Sequence, residues 1–206
     1  MSVLKTWFAT PVKRKTFALK VIIHLGAILP LINLYLLAFS DELGADPVDA
    51  VIHFTGIGAL NLLLITLCIT PLAKKFKQGF LLNVRRLLGL YTFTYALIHL
   101  LNFIVFELQT DLSLFISEVI KRPYITVGMV ALLALLALAI TSINRFKRSM
   151  GTAWQKLHNV IYLTVLLAVV HFYWSVKSDI TEPVIYFVIV LFLLACRAKK
   201  FKRWFG

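Results

Sequence analysis

The sequence predicts an all-α membrane protein: a six-transmembrane-helix bundle with both termini in the cytoplasm. Three observations carry that expectation. Hydrophobic residues make up 60% of the 206-residue chain and the mean hydropathy is +0.87, far above what a single soluble core requires. The apolar residues gather into charge-free runs that match the roughly 30 Å thickness of a bilayer core. Lysine and arginine fall in alternate connections between those runs, the signature of the positive-inside rule.

Taken in order, the runs are Val21–Phe39, Ala50–Ala73, Leu87–Phe106, Pro123–Ile143 and Leu157–Val176. At about 1.5 Å per helical residue they reach about 28 to 36 Å, enough to span. A sixth run, Pro183–Cys196, reaches only about 21 Å. Snorkelling by the flanking Arg197 and Lys199 extends it, and it is read as the last span. A basic start followed by an apolar run also describes a signal peptide, with Ala38–Ser40 as a poor cleavage site. A run of this length holding His24, Pro30 and Asn33 fits a retained first span better. The connections are short and no repeat or low-complexity tract interrupts them, so residues 1–206 read as one domain.

Charge sets the orientation. Lys5, Lys13, Arg14, Lys15 and Lys20 precede the first span, and Lys74, Lys75, Lys77, Arg85 and Arg86 lie between the second and third. Arg145, Lys147, Arg148 and Lys156 lie between the fourth and fifth, and Arg197, Lys199, Lys200, Lys202 and Arg203 follow the sixth. Only Lys121, Arg122 and Lys177 fall on the opposite side, together with all nine acidic residues, which leaves that face at −6. The formal net charge of +13 is therefore a topology signal directed at anionic lipid, not a nucleic-acid surface. Trp154 and Trp204 at the inner boundary and Trp174 at the outer one agree with headgroup anchoring.

The two cysteines, Cys68 and Cys196, sit within or at the inner end of separate apolar runs and read as small buried hydrophobes. There is no CxxCH, so covalent c-type haem is excluded. Neither GxGxxG nor GxxxxGK[ST] occurs, so no nicotinamide or ATP site is recognisable.

All five histidines lie inside the apolar runs, where ionisable groups are costly and point to function. A lone intramembrane histidine also serves as an interhelical hydrogen-bond partner, but their depths sort them further. His99 lies eight residues before Glu107 and His171 six residues before Lys177, about 12 and 9 Å from the outer charges, so they can face each other. His158 and His24, two and four residues past Lys156 and Lys20, make a second possible pair near the inner face. His53 is left over on the outer side. Two neutral imidazoles across a bundle suit the axial positions of a haem iron. Zinc would take three or four ligands, and no acidic residue lies inside any span. His158 and His171, about 20 Å apart along one helix, would hold one haem near each face. An ideal helix turns them about 140° apart, so the haems are offset or the helix is distorted.

Seven segments carry a family resemblance: LGADPV at Leu43–Val48, HFTG at His53–Gly56, TPLA at Thr70–Ala73, RRLLGL at Arg85–Leu90, RPYITVG at Arg122–Gly128, LHNVIYL at Leu157–Leu163 and HFYWSVK at His171–Lys177. The chain resembles the ferric-reductase-like transmembrane family, which includes the membrane domains of NADPH oxidases. Within it, the chain is similar to the haem-binding membrane subunits of bacterial periplasmic methionine-sulfoxide reductase systems. The resemblance implies one or two haem b groups, with His99, His158 and His171 as axial ligands. It also implies an inner-membrane protein that passes electrons to a periplasmic molybdopterin-containing catalytic subunit, which repairs oxidised proteins. The chain would carry no substrate-reducing centre of its own. Its donor would be the quinol pool or a cytosolic flavin reductase, with FMN and quinone as the further cofactors that such a role accommodates. Where the family has an inner histidine on the third span, this chain has Arg85, so His24 is the candidate for the missing ligand. Arg85 and Arg86 read first as inner-face anchors and second as partners of a haem propionate or quinone carbonyl.

Two rival functions stay open on the sequence alone. A stand-alone ferric reductase would use the same haems but lacks a flavin–nucleotide domain here. A proton-coupled transporter would call for intramembrane carboxylates or inverted repeats, and neither is visible.

Overall fold

The computed structural model describes residues 11–198, and the described chain is helical, without β-strands. Lys5, Lys199, Lys200, Lys202, Arg203 and Trp204, which contribute to the charge and aromatic pattern, lie outside the described residues. Five helical segments are long and apolar enough to cross a membrane. The last helix is shorter, at 15 residues, about 22 Å.

The chain forms two compact units, Met1–Tyr95 and Ala96–Gly206. In the first, α1 (Pro11–Phe39) packs with α2 (Pro47–Lys75) and with a 3₁₀ segment, Gly79–Val84, that leads into α3 (Arg85–Asn102). Asp46 caps α2 by accepting from the Asp49 N–H at 3.0 Å, Pro47 opens the helix, and Lys74 and Lys75 close it against the negative end of its dipole. Pro30 and Pro71 lie inside α1 and α2, as membrane helices tolerate. Tyr95, on α3, donates its hydroxyl to the Ala27 carbonyl of α1 at 2.7 Å and is 3% exposed.

The second unit opens with the end of α3, which runs into a π-helical turn, Phe103–Glu107. Gln109 and Thr110 then take positive φ angles of 49° and 66°, which stops the helix. Asp111 starts α4 (Leu112–Lys121) by accepting from the Ser113 and Leu114 N–H groups at 2.8 and 2.9 Å. This surface helix has no counterpart in the sequence reading. It is ten residues long and one-sided, so a search for charge-free runs passes over it. Arg122 is extended, as a residue before proline must be, and Pro123 opens α5 (Pro123–Ile140). Two short helices, α6 (Asn144–Met150) and α7 (Thr152–His158), precede α8 (Ile161–Ser175) and α9 (Thr181–Ala195). Within this unit α8 packs against both α5 and α9. Asn159 and Val160 keep right-handed helical dihedrals, so Thr152–Ser175 runs on as one apolar helical segment with a tightened turn between its two histidines.

Candidate functional site

The second unit brings His99 of α3 and His171 of α8 together, with ring centroids 6.2 Å apart and planes at 83°. His171 Nδ1 lies 2.7 Å from the backbone carbonyl of Tyr124, in the first turn of α5. A carbonyl can only accept, so Nδ1 carries the proton and Nε2 keeps its lone pair for a further partner. This is the arrangement that orients metal-ligating histidines and raises their basicity.

The spacing can be tested against an iron. With metal–nitrogen bonds of about 2.0 Å and roughly 1.1 Å from nitrogen to ring centre, two imidazoles on opposite sides of one iron would have centroids about 6.2 Å apart. The observed pair meets that value, and both rings are half-buried. Among the described residues no group of three or more His, Cys, Asp or Glu side chains converges, so the geometry suits a pair of axial ligands and not a tetrahedral ion site.

His158 closes α7 and is held on two sides. Its ring stacks on Trp154 at 4.0 Å and 26°, and its Nε2 is 3.1 Å from the Thr141 hydroxyl. That hydroxyl donates its one proton to the Ala137 carbonyl at 2.7 Å, so Nε2 is the protonated, donating nitrogen. Trp154 is itself fixed, donating to the Thr141 carbonyl at 2.9 Å beneath the Lys147 ammonium. His158 reaches a metal through Nε2 only by giving up Thr141.

In the first unit His24 Nδ1 hydrogen-bonds the Tyr91 hydroxyl at 2.5 Å, the two rings meeting edge to face. Arg85 donates from Nη1 to the Thr70 hydroxyl at 3.1 Å, which joins the RRLLGL and TPLA segments. Arg86 and His53 are exposed. Sequence reasoning singled out the histidines but missed the groups that hold them: Tyr91, Thr141, Trp154 and the Tyr124 carbonyl. A backbone carbonyl has no sequence signature, and the only available signal was the RPYITVG segment itself.

Residues 55–169 match the family described as ferric reductase like transmembrane component. The chain belongs to the ferric-reductase-like transmembrane family. It is 46% identical to the protein-methionine-sulfoxide reductase heme-binding subunit MsrQ of Klebsiella pneumoniae (strain 342), over 90% of this chain and 94% of that one. It is 49% and 47% identical to the proteins of the same name from Salmonella arizonae and Pectobacterium carotovorum subsp. carotovorum, with the same coverage. The chain therefore falls in the MsrQ branch of the family. No solved structure matches it.

Proposed function

We propose that this chain is a haem b electron-transfer subunit of the bacterial inner membrane. It would pass electrons from a quinol or a cytosolic flavin donor to a periplasmic molybdopterin-containing methionine-sulfoxide reductase. Residues 1–206 act as one membrane domain of six spans, with both termini cytoplasmic. The observation that supports this most is the His99–His171 pair, spaced 6.2 Å apart with His171 Nδ1 anchored on the Tyr124 carbonyl. The relatives' printed name, a heme-binding subunit, supports it independently.

A haem held between these rings supplies a one-electron centre alternating between ferric and ferrous iron. His99 and His171 bind from α3 and α8. The Tyr124 carbonyl fixes the His171 tautomer, and the surrounding apolar helices keep bulk water away. The proposal also keeps His158 of the second unit and His24 of the first as candidate haem ligands. His24 has Nδ1 on Tyr91, which directs any iron to its Nε2. His158 must exchange its Thr141 bond for the iron. Arg85 and Arg86 stand where a propionate or a quinone carbonyl meets the inner headgroup region.

The test is an optical spectrum of the detergent-purified protein, oxidised and then dithionite-reduced, with haem quantified per chain. Sharp low-spin b-type bands lost in His99→Ala and His171→Ala are expected. Partial loss in His24→Ala and His158→Ala is expected. A colourless wild type expressed with ample haem would overturn the reading.

A further inference from the structure

The geometry points to Gly128 as the residue that lets His171 reach its anchor: the missing side chain at 128 is the space the imidazole occupies. This inference rests on the haem reading of the His99–His171 pair. Tyr124 and Gly128 are one turn apart on α5, so the amide of residue 128 faces the carbonyl of residue 124. A helical Cβ leans back toward the N-terminus. A side chain at 128 would therefore stand beside the carbonyl that accepts from His171. A methyl built there lies 2.7 Å from His171 Nδ1, 2.8 Å from Cε1 and 3.2 Å from Cγ, and these are its three nearest neighbours.

Ordinary contact begins at 3.4 Å, so the ring would have to retreat by about 0.6–0.7 Å in a close-packed interior. It cannot do so freely. Nδ1 is tied to the Tyr124 carbonyl on one side, and on the other Nε2 is the nitrogen that would hold a haem iron. Gly128 is thus a positioning residue for His171. The RPYITVG segment, to which the sequence assigned no chemistry, becomes the cradle of the axial ligand. Its proline opens the helix, Tyr124 offers the acceptor, and Gly128 admits the ring.

The experiment uses the full-length protein in detergent, reading haem per chain, spin state and midpoint potential, and thermal melting as a measure free of activity. Gly128→Ala is compared with Gly89→Ala, whose added methyl meets nothing within 4 Å. Gly128→Ala is expected to retain haem roughly 10- to 100-fold more weakly, to shift its bands from low spin toward high spin, and to move the midpoint potential upward as the ligand loses its carbonyl partner. Gly89→Ala is expected to match wild type. Because His171 supplies all three close contacts, the melting penalty of Gly128→Ala should vanish in the His171→Gly background. That comparison remains readable if Gly128→Ala alone folds poorly. Wild-type haem retention, spectrum and potential in Gly128→Ala, or a penalty that persists unchanged in His171→Gly, would overturn the inference. Full haem with an intact low-spin spectrum in both His99→Ala and His171→Gly would instead overturn the haem reading, leaving the melting comparison to judge Gly128 by itself.

Discussion

Replacing Tyr95 by phenylalanine tests how the first unit holds the helix that carries His99 one turn later. The hydroxyl donates to the Ala27 carbonyl at 2.7 Å, and both residues are buried, at 3% and 2% exposure. Interhelical hydrogen bonds in membrane proteins average about 0.6 kcal/mol and reach about 1.7. Tyr95→Phe removes no carbon, and the Ala27 carbonyl retains its intrahelical donor, so a cost near 0.6 kcal/mol is expected. Gly58→Ala stresses the same ring from the other side. Its methyl would lie 2.5 Å from Tyr95 Cδ1 and Cε1, and restoring a 3.4 Å contact pushes the ring back by about 0.9 Å. Overpacking of that kind costs about 1–3 kcal/mol, and the retreat also stretches the hydroxyl's bond. The double variant should therefore cost less than the two single costs added together. Thermal melts in detergent read all three, with Gly26→Ala as the control because its methyl meets nothing within 4 Å. The reasoning fails if Gly58→Ala melts with Gly26→Ala, or if the two costs add in full.

Three further outcomes are expected. Asp111 lies outside the spans, and the Leu114 N–H, then the Ser113 hydroxyl and N–H, hold its carboxyl below the usual 3.8. Its capping contribution is therefore complete above the unfolded value and is lost as pH falls through the lower folded one. Protection of the α4 amides, corrected for the intrinsic pH dependence of exchange, should hold down to about pH 4 and fall below it in wild type but not in Asp111→Asn. Wild-type protection that stays unchanged below about pH 4 would contradict this. Thr141→Val removes the acceptor of His158 Nε2–H, so the ¹⁵N spectrum of His158 should shift from a single Nε2–H tautomer toward a mixture, with a stability loss of about 0.6–1.7 kcal/mol; an unchanged spectrum argues against the assignment. Arg197 donates to the Tyr162 hydroxyl and lies 5.2 Å over the same ring. A lysine cannot reproduce that planar contact, so Arg197→Lys should lower the melt by about 0.5–2 kcal/mol. Tyr162→Phe, which keeps the ring, should cost less, and wild-type melting in Arg197→Lys would refute the pairing.

The five long spans were legible in the residues because lipid forces each backbone polar group to find its partner within the chain, and only long apolar helices manage this. That His99 and His171 can stand at one height was legible because rise per residue converts sequence position into height along a helix. Depth does not fix azimuth, however. Only the fold turned these two rings toward each other, tightened the turn at Asn159–Val160, and set His158 against Thr141 and Trp154. The helix at Leu112–Lys121 escaped notice because its apolar positions follow one face and form no continuous run. The family segments were visible as separate strings, but their pairing was not: RPYITVG meets HFYWSVK at the Tyr124 carbonyl, and TPLA meets RRLLGL at Arg85. By itself, then, the sequence determined which runs form long apolar helices, where along them the histidines fall and which family the chain belongs to. The tertiary structure decided which nitrogen of His171 and of His158 holds a proton, because that depends on a carbonyl or hydroxyl brought from a distant helix to within 3 Å or so.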